Sequence, residues 1–511
     1  MRKRVFVVAL GESTFDLIEP WAAAGHLPVL ASLMRGGTHG RMRSQVPLMT
    51  PQLWGSIVTG RTPGHHGAFD FWQRSPKGAF HAIDGSALRC PTLWEMLSRR
   101  GVPCGIVNLP FTYPPAAIDG FVIAGEDAPG AHRSIAHPPE LYDEITEKFG
   151  RYRLKDIFPG GRQKTDYLTL IDEDVAAQTE VFEHLFRTRP WRFGMAFFSA
   201  TAIAQHYFWR DMAEATPGDP FADVVLTAYR AVDRALGRLL EAVGPDTTVF
   251  VISDCGAGPL RSGVQINTIL EQHGFLARKA AKPKAGRRLV AGARKQAQAL
   301  LQRHLPDRLY YQVNHRLGGL KTKVQSYLAQ SDLDWPRTQV FSRGKEGDLF
   351  VNLKGRDPHG IVEPGADYEA VRDRLSETFM ALRDPSTGEP AVERVYRREE
   401  LFQGPMLEHA PDMVVLWKDT AYMPSEDDRN RDQVFVERWR EYMNWPTSGS
   451  HRVDAVLIAK GPGVAEGRTI MTARLIDLAP TWLHALGQDV PAELEGRVMQ
   501  ELFTAATVPA A

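Results

Sequence analysis

The sequence predicts an α/β fold in which a mainly parallel sheet is flanked by helices, and three observations predict it. Short continuous runs of β-branched and aromatic residues recur along the chain, as they do in strands buried on both faces. Amphipathic stretches with apolar residues at helical spacing separate these runs. The 511 residues suffice for one large core carrying an insertion. In order, the predicted strands are residues 5–10, 104–109, 121–124, 193–198, 248–252, 413–417 and 455–459. The predicted helices between them are residues 28–34, 92–99, 168–187 and 223–243. Ligands of such sheets gather at the carboxyl edge, so the residues just after Leu10, Phe198 and Ile252, and those around Ser450, are the places to look for chemistry.

Composition narrows the functional classes. Lysine plus arginine and aspartate plus glutamate number 61 each, so the overall charge gives no argument for a nucleic-acid polymer or an anionic membrane, and no nucleic-acid polymer is expected as a partner. The three cysteines, Cys90, Cys104 and Cys255, are scattered and form neither a disulfide framework nor a Cys-x-x-Cys knuckle, which suits a reducing compartment. The basic start followed by residues 5–10 mimics a secretory signal, but the apolar run is too short and polar residues follow at once. No stretch is long and apolar enough to span a bilayer, and a soluble cytoplasmic protein is the expectation.

One segment departs in composition. From Arg278 to Lys323 lysine and arginine abound and acids are almost absent, within an Ala/Leu/Gln-rich helical pattern. The expected organisation is a first part of the core over residues 1–275, a basic helical insertion or cap over 276–335, a second part of the core over 336–504, and a tail over 505–511. A charged helical pair of this kind is either a solvated surface or a cap that attracts an anionic substrate.

Four positions invite a chemical reading. Thr50-Pro51 opens a helical stretch, placing a hydroxyl where free N–H groups favour negative charge, although threonine before proline is also an ordinary helix start. Asp254 follows the strand at 248–252, where a metal-binding carboxylate is often mounted and where an aspartate also caps turns. His206 and His451 each fall near a predicted strand end or the loop beyond it, and either alone would suit an ordinary packed histidine.

Taken together, these residues resemble a known pattern. Val8-Ala9-Leu10, Pro47 to Trp54 with Thr50, and Thr59-Gly60-Arg61-Thr62-Pro63-Gly64-His65-His66-Gly67 look like the opening of the type I phosphodiesterase and nucleotide pyrophosphatase branch of the alkaline phosphatase superfamily. The likeness continues through Gln205-His206-Tyr207-Phe208-Trp209, Ser253-Asp254-x-Gly256, Asn352-Leu353-Lys354-Gly355-Arg356, Gly449-x-His451-Arg452 and Asp477-Leu478-Ala479-Pro480-Thr481. It is similar above all to a bacterial group of predicted phosphohydrolases or phosphomutases. The resemblance implies an alkaline-phosphatase-like fold and two divalent metals, usually zinc, flanking a threonine nucleophile, here Thr50.

The chain departs from that pattern at three ligand positions. Gly11 stands where an aspartate is expected after the first strand, Ala202 where one is expected four residues before His206, and Cys255 where a histidine should follow Asp254. Glycine and alanine cannot coordinate through a side chain, so Gly11 and Ala202 are vacated positions, whereas cysteine is a competent zinc ligand as thiolate. Glu12 could stand in from one position along, but adjacent residues at a strand end point differently, which weighs against it. The remaining candidates, Asp254, His206, His451 and Cys255, suffice for one zinc or manganese ion rather than two. The expected function is therefore a phosphoesterase or phosphodiesterase acting on an anionic small-molecule phosphate ester through Thr50, with a one-metal or rearranged site. The alternatives are a metal-independent group-transfer enzyme, in which Thr50 or Cys255 attacks and His206 or His451 acts as base, and a non-catalytic pseudoenzyme.

Overall fold

The computed structural model describes residues 3–75, 78, 80–154, 157, 163–279, 332–343, 346–425, 433–436 and 447–504. Most of the expected basic insertion and the whole 505–511 tail lie outside the described residues. The two flanks of the insertion pair with each other: Arg278 bridges Leu333, and the Lys279 amide donates to the Asp332 carbonyl at 2.8 Å.

In chain order the first half holds β1 (Arg4–Leu10), α1 (Phe15–Ala23), α2 (Pro28–Arg35), β2 (Thr38–Arg43), α3 (Thr50–Thr59), α4 (Pro63–His66), β3 (Trp72–Arg74), β4 (Phe80–Ala82), α5 (Leu93–Ser98), β5 (Cys104–Leu109), β6 (Gly120–Ala124), β7 (Ala136–His137), α6 (Glu140–Phe149), α7 (Tyr167–Thr188), β8 (Phe193–Phe198), α8 (Ala200–Ala213), α9 (Val224–Val243) and β9 (Thr247–Ile252). There follow β10 (Gly256–Pro259), β11 (Ser262–Gln265), α10 (Ile266–Gln272), β12 (Val340–Ser342), β13 (Asp348–Val351), α11 (Ala366–Met380), β14 (Val392–Arg397), α12 (Arg398–Leu401), β15 (Met413–Trp417), β16 (Tyr422–Ser425), β17 (Phe435–Val436), β18 (Gly449–Arg452), β19 (Asp454–Lys460), β20 (Arg468–Arg474) and α13 (Leu478–Ala485).

A nine-stranded sheet in the order β20-β2-β19-β9-β1-β8-β5-β6-β7 forms the centre. The strands β9, β1, β8, β5 and β6 run parallel, β1 pairing Leu10 with Phe198 and Ala9 with Ile252. Alternation along β1 explains why both faces need cover. Phe6, Val8 and Leu10 join the core with α1, α2, α7, α8 and α9, while Val5, Val7 and Ala9 join the opposite core with α3, α5 and α13.

Every predicted strand is a strand, but two are placed unlike the rest. The 455–459 run is β19, antiparallel to both β9 and β2. The 413–417 run is β15, in a separate four-stranded antiparallel sheet of order β12-β13-β15-β14. This second lobe has its own core, with Ile269 and Leu270 of α10, Leu375 and Phe379 of α11, and Leu349, Val351, Met413 and Val415 of the sheet.

Candidate metal centre and nucleophile

All five parallel strands deliver a residue to one pocket of about 230 Å³ at their carboxyl ends. β1 leads to Gly11 and Glu12, β9 to Asp254, β5 to Pro110, β6 to Glu126, and β8 to Ser199 and the first turns of α8 with Ala202 and His206. Thr50 and His451 line the same pocket. The expectation that His206 lies at a strand end or loop is corrected: it sits within α8, one turn beyond Ala202 on the same face.

Glu12, His206 and His451 form a group whose ligand atoms all lie within 4.8 Å of one another. Glu12 Oε1 is 3.1 Å from His206 Nε2 and 3.3 Å from His451 Nε2. The far nitrogen of each ring is also engaged: His206 Nδ1 donates to the Gly449 carbonyl at 3.2 Å, and His451 Nδ1 lies 3.4 Å from Glu346 Oε1. The rings meet because β18 docks on α8. The Ser448 amide donates to the His206 carbonyl at 2.7 Å, and a Cβ at Gly449 would stand 2.2 Å from the Gln205 carbonyl oxygen.

Glu12 enters the pocket through its backbone. Its φ of 54° is left-handed, a region that non-glycine residues seldom adopt and that often marks a functional position. The conformation is held from both sides: the Glu12 amide donates to Asp254 Oδ1 at 3.4 Å, and Gln205 Nε2 donates to the Glu12 carbonyl at 3.0 Å. Tyr229 holds Gln205 in turn, its hydroxyl donating to Gln205 Oε1 at 2.9 Å. The pattern of alternating strand faces, which counted against Glu12, stops applying where the chain leaves β1 in this turn.

Electrostatics agree with the geometry. Burial by itself would raise the Glu12 pKa, but the two imidazoles outweigh it and hold the carboxyl well below its usual range. Burial would lower His451, yet Glu12 and Glu346 outweigh it and raise that histidine well above its ordinary value. Asp254 is pushed up to about 6 by burial and by neighbouring Glu12.

The residues present fit a single divalent cation. Two imidazoles and one carboxylate are a donor set suited to zinc or manganese, and the second oxygen of Glu12, Oε2, is buried without a hydrogen-bond partner. Asp254 stands outside this group and supports the Glu12 turn instead. Cys255 is 1% exposed, belongs to the apolar cluster beneath the sheet and does not line the pocket. Burial, then Asp254 and Glu12, push its thiol well above the ordinary value, so the thiolate needed of a ligand or nucleophile is disfavoured. Gly11 and Ala202 are neighbours: a Cβ at Gly11 would lie 3.1 Å from Ala202 Cβ and 3.2 Å from Phe197 Cζ. A side chain at Gly11 is therefore crowded, although both residues line the pocket.

Thr50 is the first residue of α3, with Met49 rather than Thr50 at the cap position, and no side chain caps this helix. The threonine therefore faces the pocket at a helix N-terminus. A hydroxyl–imidazole pair lies deeper, where Ser56 Oγ of α3 is 3.0 Å from Nε2 of His66 in α4. Both residues are fully buried, and His66 Nδ1 accepts the Ala68 amide, so the neutral ring donates from Nε2 and cannot serve as a base toward Ser56. Other stretches of the family pattern likewise build framework. Glu495 accepts from Thr62 and Arg61, Asn352 donates to the Thr338 and His359 carbonyls, and buried Asp477 accepts from Arg474 and Arg497.

Sequence reasoning set Glu12 aside and did not single out Glu126 or Glu346. Glu126 carried the same signal as Asp254, a carboxylate two residues past a predicted strand. Glu346 carried none, because it arrives from the β12–β13 connection of the second lobe.

The fold is an α/β architecture with its largest described cluster of chemical side chains at the sheet's carboxyl edge. A sequence profile for type I phosphodiesterase / nucleotide pyrophosphatase matches residues 6–443, and the chain belongs to this family of metal-dependent phosphoester hydrolases. Human ectonucleotide pyrophosphatase/phosphodiesterase 5 superposes with a TM-score of 0.52 at 12% identity, covering 98% of this chain and 100% of that one. An inactive murine form of the same protein, solved in complex with AMP, gives 0.53 at 12% identity over 98% and 100% of the two chains. Phosphonoacetate hydrolase from Sinorhizobium meliloti 1021, in complex with phosphonoformate, gives 0.55 at 15% identity over 95% of each chain. No curated protein gives a significant match. These likenesses bear out the expected alkaline-phosphatase-like fold. Among the described residues no helix is long and apolar enough to cross a membrane.

Proposed function

We propose that the chain hydrolyses an anionic phosphate ester or diester with Thr50 as nucleophile and one divalent metal, zinc or manganese, held by Glu12, His206 and His451. The observation that carries this reading is the convergence of Thr50 with that three-residue group in one pocket at the sheet's carboxyl edge. Charge supports it. The described lining carries four carboxylates, Glu12, Glu126, Asp254 and Glu346, and no lysine or arginine, so a phosphate entering the pocket needs a cation to offset repulsion. A metal bound there supplies Lewis-acid polarisation of a phosphoryl oxygen.

The residues of the chain do the rest. The free N–H groups at the start of α3 orient the phosphoryl oxygens toward Thr50. Thr50 Oγ forms the bond to phosphorus as the ester oxygen leaves and takes up a proton, and water then cleaves the phosphothreonine. Asp254, which faces the same pocket, accepts the Thr50 proton. Apolar Phe71, Ile203 and Met423 on the lining give the ester's organic group a surface to rest on.

The test is hydrolysis of bis(p-nitrophenyl) phosphate during titration of the metal-stripped protein with zinc or manganese. Activity is expected to saturate at one metal per chain, and Thr50→Ala to lower kcat by on the order of 10³-fold or more while leaving metal binding intact. Full turnover in Thr50→Ala, or two tightly held metals per chain, contradicts the reading.

A further inference from the structure

We infer that Glu346, reaching in from the second lobe, is a positioning residue for His451 that sets how tightly the candidate metal centre binds; the inference rests on the one-metal reading above. Its Oε1 lies 3.4 Å from His451 Nδ1, and the residue lines the same pocket. An imidazole coordinates through one nitrogen, and the hydrogen bond at its other nitrogen decides which one is offered. With the Nδ1 proton aimed at Glu346, Nε2 is turned toward Glu12, as observed at 3.3 Å. His206 is arranged in the same way, its Nδ1 proton going to the Gly449 carbonyl and its Nε2 facing the same Glu12 oxygen. One ring is oriented by a backbone carbonyl, the other by a carboxylate that also strengthens its ring as a donor.

The fold delivers Glu346 to this place rather than leaving it on a free loop. Gly347, with φ at +99°, packs so closely that a Cβ there would stand 2.7 Å from the Val415 carbonyl oxygen. The Val415 amide donates to the Gly347 carbonyl at 3.1 Å, and Asp348 then begins β13 paired with Val414. The entry to β13 at Gly347 is thus fastened to β15, and Glu346, one residue before it, reaches His451 of β18. The second lobe thereby supplies part of a site whose three proposed ligands, Glu12, His206 and His451, stand on or beside the central sheet.

The test compares the full-length protein with Glu346→Ala and Glu346→Gln. Zinc affinity is measured by competition with a chromophoric chelator. The Nδ1–H proton of His451 is followed by NMR in ¹⁵N-histidine-labelled protein, with and without zinc, and is assigned by its loss in His451→Gln. Glu346→Ala is expected to weaken zinc binding by about 10- to 100-fold and to abolish the downfield Nδ1–H resonance, with an unchanged unfolding midpoint. Glu346→Gln, which keeps an acceptor oxygen without the charge, is expected to retain the resonance and recover most of the affinity, which loss of packing alone would not predict. Zinc affinity in Glu346→Ala within about twofold of the parent, or an unshifted resonance, overturns the inference. Should the parent itself fail to hold zinc, the one-metal reading falls, and the resonance in the metal-free protein still decides whether Glu346 holds the ring.

Discussion

At the scale of single residues, the pocket is shaped by two small side chains as much as by its ligands. Gly11 and Ala202 both line the pocket and crowd each other, since a Cβ at Gly11 would stand 3.1 Å from Ala202 Cβ. Such a contact is tighter than ordinary packing, so each neighbour must give way. We expect Gly11→Asp and Ala202→Asp, singly or combined, to lower thermal stability, because a Cβ at Gly11 is crowded and each adds a carboxylate to a described lining that already carries four and no lysine or arginine. Metal titration of the double variant should stay at or below one ion per chain; a rise to two would show that the added carboxylates complete a second site. Thr50, read at a helix start, Asp254, read at a strand end, and His206 and His451, joined to them by the family resemblance, all line the pocket, although His206 does so from within α8. Glu12 was not readable, because alternation along a strand says nothing about a residue that turns left-handed just beyond it.

At the scale of elements, the two histidines depend on one close approach. α8 and β18 come from distant parts of the chain, and Gly449 lets them touch, for a Cβ there would lie 2.2 Å from the Gln205 carbonyl oxygen. Gly449→Ala must push β18 away from α8, at a cost of about 1–3 kcal/mol for overpacking. Since His206 sits one residue beyond Gln205 and His451 two beyond Gly449, the same shift should separate the rings and weaken zinc binding. Urea unfolding and chelator competition on one variant check both effects, and an alanine that leaves metal affinity untouched would show that the rings are held by other contacts. Periodicity located these elements but not their partners. The apolar run of β19 resembles that of β9, yet the two are antiparallel, because a strand buried on both faces carries no mark of direction. The run of β15 reads like a core strand because it is one, in the core of the second lobe. α3 begins at Thr50, one position earlier than it would with Thr50 as its cap, a difference within the ordinary spread of helix ends.

At the scale of the whole molecule, the second lobe must hold its shape if Glu346 is to stay at the pocket. Its polar centre is Asp412, fully buried beside β15. The carboxylate accepts from Arg356 Nη1 at 2.6 Å and Nη2 at 2.8 Å, from the Tyr368 hydroxyl at 2.8 Å and from the Val351 amide at 2.7 Å, so one side chain ties β13, the turn after it and α11 together. Arg74 of β3 reaches the same region, donating to the Glu408 carbonyl at 2.9 Å and lying 3.4 Å from Asp357, which joins the lobe to the first half of the chain. Burial alone would raise the Asp412 pKa, but Arg356, with Arg74 and Arg398, outweighs it and holds the carboxyl below its usual value. The folded value is therefore depressed. The stabilisation is fully present above the unfolded value of about 3.9 and is lost as pH falls through the lower, folded value. Asp412→Ala leaves Arg356, Tyr368 and the Val351 amide without their acceptor, and it is expected to cost about 3 kcal/mol, the low end for a broken buried pair because Arg356 is partly exposed. Unfolding measured at pH 7 should show that loss, the gap between parent and variant should narrow below about pH 4, and hydrogen exchange in the variant should quicken first in β13 and α11. A loss that is the same at pH 7 and pH 3 would mean that Asp412 acts through packing rather than charge, and that the arginines around it are held by other groups.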